Sequence, residues 1–201
     1  MQQCGSSGPP DDQDYLQLQR CPAGVTSAGF SITGDPAPDQ ATREAIFRAA
    51  LRAADHGLLR PWRFLIIEGE SRHRLGELWG KASKADNPGM TEADVLSAQK
   101  KVLRAPMIVV GIVSPKAHPK VPEAEQHLAA GAAMQNMLNA AYALDVGAIW
   151  RTGPMATHPV MREGLGLQAH ESIIGFLYLG SIDGPMRSVR EEALTDFFQE
   201  W

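Results

Sequence analysis

"RAADHGLLRPWRFLII", residues 52–67, holds the join on which the fold turns: a helix end, the triplet Asp55-His56-Gly57, the pair Pro61-Trp62, and an apolar run. Upstream, "DQATREAIFRAALRAAD" (39–55) places Ile46, Ala49, Ala50 and Ala53 on one helical face. Asp39 stands where an N-cap is needed, and Gly57 supplies a C-terminal stop. Downstream, "WRFLIIEG" (62–69) predicts a short buried strand. The stretch is therefore a helix-to-strand corner, with Arg52, Asp55, His56, Arg60 and Trp62 gathered around it.

The same alternation extends outward. "ESRHRLGELWGKA" is helical through Leu75, Leu78, Trp79 and Ala82, and Thr91 with Asp94 forms a capping pair for "EADVLSAQKKVLR", stopped by Pro106. "MIVVGIV" (107–113) reads as a fully buried strand. "EAEQHLAAGAAMQNMLNAAYALDVG" is the longest helix and is dense in small residues from Ala129 to Ala133, fitting either a core helix or a close helix–helix seam. "AIWRTG" follows, then a helix around "HPVMREGLG" with Pro159 in its first turn, then the buried strand "IIGFLYLG" (173–180). Helices alternating with a few apolar strands predict an α+β or α/β architecture around one sheet. Residues 1–14, rich in Gln, Ser, Gly, Pro and Asp, predict a disordered tail, with one domain over 15–201. Phe197, Phe198 and Trp201 leave large apolar groups at the terminus, which predicts docking onto a second copy of the chain.

Composition sets outer bounds. The chain has 201 residues, 44% hydrophobic and 21% charged, with a formal net charge of −4. That balance gives no reason to expect nucleic acid or an anionic membrane as partner. No apolar run approaches the ~20 residues that span a bilayer. Cys4 and Cys21, both near the N-terminus, are too few for a disulfide framework, and "MQQCGSSGPPDDQD" lacks the features of a signal peptide. The expectation is a reduced, cytoplasmic compartment.

Several motifs fail on inspection. "GELWGKAS" lacks the spacing and the Ser or Thr of a phosphate loop, and "GLG" (164–166) lacks a third glycine and a preceding strand. No G-x-S-x-G elbow occurs. His118, Glu123, Glu125 and His127 lack metal-site spacing and read as a solvated loop and helix start. Two features survive. The corner at Arg52, His56 and Trp62 is either a solvated helix end or part of a site. "IWRTG" (149–153) sets an Arg where a backbone turn could approach an anion, or where the Arg caps the preceding helix. Together they supply two guanidiniums, an imidazole, a hydroxyl and glycine-adjacent amides, a set suited to an extended anionic cofactor.

The order and spacing of "RAADHGLLRPWRFLIIEGESRHRLGEL", "RAPMIVVGI", "KVPEAEQHLAAGAAMQNMLNAA", "GAIWRTG", "VMREGLGL", "IIGFLYLG" and the aromatic tail resemble the nitroreductase-like flavoproteins, across roughly residues 36–201. The resemblance is to the short NAD(P)H nitroreductase branch. It implies an α+β homodimer with a mostly antiparallel sheet flanked by helices. It also implies a C-terminal extension (about 185–201) exchanged between subunits, and FMN at the interface with each site built from both chains. Arg52 and His56 match flavin-contacting positions, and Trp150, Arg151 and Thr152 match the segment reaching the flavin from the other subunit. The implied reaction is ping-pong: NAD(P)H reduces the flavin, which then reduces a nitroaromatic, quinone or similar acceptor. No catalytic acid or base from the chain is required. A different flavin reaction (fragmentation, dehalogenation, a pathway-specific dehydrogenation) and an FMN-free dimeric scaffold are the alternatives.

One departure stands out. Relatives carry Arg-Arg-Ser, a phosphate and ribityl contact, shortly before Pro-Ala-Pro (36–38 here). Counting back without gaps places Ser27-Ala28-Gly29 there, with both arginines missing, while an insertion gives the better helical match "LQLQRC" (16–21), with Arg20 and Cys21 in those positions and one arginine missing. The loss of one charge-assisted phosphate contact costs about 1.5–3 kcal/mol, roughly ten- to a hundredfold in affinity.

Overall fold

A computed structural model of the chain describes residues 31–32, 35–183 and 192–201. Its centre is a four-stranded sheet built from β2 (Trp62–Glu68), β3 (Met107–Val113), β4 (Gly147–Arg151) and β5 (Ser172–Gly180), in the order β2-β3-β5-β4. Every pairing is antiparallel. β1 (Ser31–Ile32) and β6 (Ile182–Asp183) form a separate antiparallel pair. The helices are α1 (Gln40–Ala50), α2 (Glu70–Asp86), α3 (Glu92–Lys100), α4 (Glu123–Ala143) and α5 (Pro159–Gly164). The fold is α+β, one of the two architectures that the alternation allows and the one that the resemblance implies.

β3 and β5 are central because both of their faces are apolar, and all seven residues of β3 are buried. Each face of the sheet carries its own core. On one, Ile108, Val110, Ile112 and Phe176 pack against Leu75 and Trp79 of α2 and Met161 of α5. Phe176, fully buried, meets Trp79 edge-on at 5.2 Å between ring centroids; burying such a ring contributes about 2–3 kcal/mol. On the other face, Met107, Val109, Leu177 and Leu179 pack against Ile46 and Ala50 of α1 and Ala133, Met134, Met137 and Leu138 of α4. Gly111 lets α4 come close, since a Cβ there would lie 2.6 Å from the Met134 sulfur. Three of the small residues of α4, Ala129, Ala130 and Ala133, are buried in the chain's own core.

Local signals set the helix starts. The Asp39 carboxylate accepts from the Thr42 amide at 2.8 Å, and Thr91 with Asp94 forms a reciprocal capping box. Both carboxyls are held below their ordinary values by those bonds. His158 Nδ1 accepts from the Val160 amide and so caps α5.

Three expectations need correction. Helix α1 ends at Ala50, well before Gly57; the Gly57 residue instead takes φ +75 inside a single 3₁₀ turn, His56–Leu58. β2 is an edge strand in which only Ile67 is buried, because nothing pairs with its outer side among the described residues. Finally, β4 begins at Gly147, residues that periodicity alone assigned to the end of the long helix. The 1–14 tail lies outside the described residues. Within 192–201 one 3₁₀ turn forms at Leu194–Asp196, and Leu194, Phe197, Phe198 and Trp201 are exposed.

Candidate functional site

The backbone of residues 51–61 is unusual. Gly57, Leu58 and Arg60 have φ of +75, +52 and +48, and for Leu and Arg that region is strained. Side chains hold it there. The Asp55 carboxylate accepts from the Arg60 amide at 2.6 Å, and Lys116 Nζ donates to the Leu59 carbonyl at 2.6 Å. Lys116 is itself fixed by the buried Gln126 of α4, whose amide accepts from the Lys116 N–H at 2.8 Å and donates to the Lys116 carbonyl at 2.8 Å. The loop is therefore built onto the first turns of α4.

Two expected site residues sit on this loop. Arg52 is exposed, and its guanidinium has no hydrogen-bond or ion-pair partner among the described residues. His56 is exposed and turns Nδ1 to Glu125 of α4 at 2.7 Å. Arg20 and Cys21 lie outside the described residues.

The second group leaves the sheet at the end of β4. Trp150 is half-buried, and its indole N–H donates to the Ile174 carbonyl at 3.1 Å. That carbonyl is available because Gly111 faces Gly175 while Ile112 faces Ile173, leaving Ile174 as the extra residue of a β-bulge. The indole rests on Gly175, where a Cβ would lie 2.0 Å from Nε1. Its only ring donor is thus committed within the chain, so Trp150 shapes the segment by its bulk. Arg151 points to the opposite face, with its guanidinium 5.8 Å from the centroid of the Tyr178 ring. Burial pushes the Tyr178 phenol up to about 12, opposed in part by Arg151 and Arg104. Arg151 does not cap α4, whose last carbonyls receive the Leu144 amide. Thr152 is exposed with no side-chain partner among the described residues, and Gly153 takes φ +77 with open space where a Cβ would stand.

These two groups flank α4. Gly131 faces the Trp150 ring, while Glu125 faces His56 and Asn136 Nδ2 donates to the Ala49 carbonyl at 3.2 Å. At about 100° per residue, Glu125 and Gly131 stand about 120° apart around the helix, with Leu128 midway between them. Leu128 is 74% exposed. Arg52 and His56 therefore lie on one side of an exposed ridge and Trp150 on the other, with no hydrogen bond or ion pair joining them among the described residues, while Arg151 turns to the opposite face of the sheet over Tyr178.

An ion pair between a buried carboxylate and a partly exposed arginine supports the same end of the sheet. Arg63 of β2 donates to both Glu171 oxygens, at 2.7 and 2.6 Å, and the Gln168 amide donates to Glu171 at 2.9 Å. The Arg63 guanidinium holds the Glu171 carboxyl at about 2. Sequence reading missed this pair, because 108 residues separate the partners and Glu171 lies in no motif. The four groups weighed as a metal cluster are dispersed: Glu125 pairs with His56, His127 Nδ1 lies 3.0 Å from the Glu123 carbonyl, and His118 Nδ1 accepts from the Lys120 amide.

Residues 33–181 match the Nitroreductase family. The chain belongs to that family. Among relatives of this nitroreductase family member, the Escherichia coli K12 protein named "Putative NAD(P)H nitroreductase YdjA" is 37% identical over 157 residues, 78% of this chain and 85% of that protein. A Haemophilus influenzae protein named "Putative NAD(P)H nitroreductase" is 35% identical, covering 80% of this chain and 86% of that one. The nitroreductase fold is shared with the crystal structure of a nitroreductase-like family protein from Bacillus cereus, at a TM-score of 0.75 and 20% identity over 97% of this chain and 99% of that one. It is shared too with a Desulfovibrio desulfuricans protein described as a "putative nitroreductase in complex with fmn", at a TM-score of 0.68 and 23% identity over 95% and 98%.

Proposed function

We propose that the protein is an FMN-dependent oxidoreductase that takes a hydride from NADH or NADPH and passes electrons to a nitroaromatic, quinone or similar acceptor by a ping-pong cycle. The observation that carries this reading is the division of uncommitted donors between the two flanks of α4. Arg52 and the free Nε2 of His56 stand on one side; on the other, Arg151 and Thr152 follow Trp150 at the end of β4, with Arg151 turned over Tyr178 toward the opposite face of the sheet. One chain cannot close them around a ligand, but two chains packed ridge to ridge through Leu128 could pair one flank with the partner's other flank. The exposed Phe197, Phe198 and Trp201 supply further apolar surface for a homodimer.

The donor set fits FMN. Arg52 and Arg151 suit its phosphate, and the Thr152 hydroxyl, the imidazole and the open backbone at Gly153 suit the polar edge of its ring. When bound, the flavin supplies the hydride chemistry itself. The chain's part is to bind and orient the cofactor and to leave room for one acceptor. Arg20 and Cys21 extend this assignment to the N-terminal segment. Among the described residues no helix is long and apolar enough to cross a membrane; a cytoplasmic location is part of the proposal.

The purified protein is expected to be a yellow dimer that retains or takes up FMN and oxidises NADH or NADPH with a nitroaromatic or quinone. A colourless protein that ignores added FMN overturns the reading. Flavin binding without turnover of those acceptors redirects it to another flavin reaction. Arg151→Ala is expected to weaken FMN at least tenfold, on the scale of one charge-assisted contact. An unchanged titration would remove Arg151 from the site.

A further inference from the structure

We infer that Glu125 is the positioning residue for His56, fixing which ring nitrogen the imidazole offers to a ligand. The inference rests on the reading of His56 as a cofactor contact. A carboxylate only accepts hydrogen bonds, so at 2.7 Å from Glu125 the Nδ1 atom carries the proton and donates. Nε2 has no partner among the described residues and is the atom left for the ligand.

The surroundings leave Glu125 to decide this. The backbone beside His56 is already fixed: Asp55 holds the Arg60 amide and Lys116 holds the Leu59 carbonyl. Gln126, the next residue on α4, anchors Lys116 and also donates to the Val121 carbonyl. What remains free is rotation of the imidazole about its own bond, and Glu125 removes it. Glu125 stands in the first turn of α4, where the helix dipole favours a carboxylate. Adjacent residues of one helix turn thus set the loop and the ring it carries.

The test uses the full chain with Glu125→Ala, Glu125→Gln, His56→Ala and the double variant Glu125→Ala/His56→Ala. Nitrogen NMR of the imidazole, which needs no flavin, is expected to show His56 protonated at Nδ1 in the parent and in Glu125→Gln, whose amide oxygen still accepts. In Glu125→Ala it is expected to shift toward the other tautomer. FMN affinity is expected to fall about threefold to tenfold in Glu125→Ala, to return most of the way in Glu125→Gln, and to fall no further when Glu125→Ala is added to His56→Ala. An unchanged His56 signature in Glu125→Ala, or an equal loss of affinity in the His56→Ala background, overturns the inference. If the parent binds no FMN, the functional reading fails while the NMR result still decides the role of Glu125.

Discussion

The two flanks of α4 are held by opposite means. At the end of β4 the chain is fixed by volume: a bulge exposes the Ile174 carbonyl, Gly175 leaves a seat, and the Trp150 indole fills it. On residues 51–61 the chain is fixed by directed polar contacts onto a partly exposed loop with three positive φ angles in four residues. Packed volume resists small changes and then fails abruptly, since a core cannot absorb even a methyl group without moving. Directed contacts fail one at a time, each for a modest loss.

That contrast can be broken at several points. The largest expected effect is Gly175→Ala. Its Cβ would lie 2.0 Å from Trp150 Nε1, at a φ of +150, so destabilisation on the order of 3 kcal/mol is expected from clash and strain together. Urea unfolding followed by tryptophan fluorescence checks it. A loss below about 1 kcal/mol would show that the indole is loosely seated.

Next comes Arg63→Ala, which strands Glu171, itself 4% exposed. Because Arg63 is 36% exposed, water shares part of the cost, and about 2 kcal/mol is expected at neutral pH. The pH dependence has a definite sign. The folded carboxyl titrates at about 2 against an ordinary 4.5, so the pair's contribution is complete above about 4.5 and is lost as pH falls toward 2. Unfolding midpoints measured from neutral pH to acid should fall across that window in the parent and less so in Arg63→Ala.

Gly57→Ala is expected to cost about 1 kcal/mol, from φ alone. Its Cβ would meet Val121 at an ordinary 3.5 Å. Smallest is Asp55→Ala, about 0.5 kcal/mol globally. Its main consequence is local, with faster hydrogen exchange at the Arg60 amide that Asp55 holds. Should Asp55→Ala unfold the chain as Gly175→Ala does, the distinction between the flanks disappears.

Arg52, His56, Arg151 and Thr152 were singled out by the order of the motifs around them and by the family resemblance, and the fold sets all four on exposed surface; their part in a site is the proposal. The roles of Glu125 and Gln126 were not visible, since the first bonds a loop 69 residues away and nothing in local spacing announces such a pairing. Trp150 was read as a flavin contact, and only the bulge showed that its N–H is already committed.

By itself the sequence determined the element types, the capped helix starts and the fully buried strand β3, because these follow from periodicity and from groups within three or four residues of each other. Tertiary structure alone decided where α1 stops, that β2 is an edge strand, that Arg63 pairs with Glu171, and that the donors divide across the Leu128 ridge. Those outcomes depend on contacts between distant segments, whose partners are chosen by how the sheet and α4 bring them together.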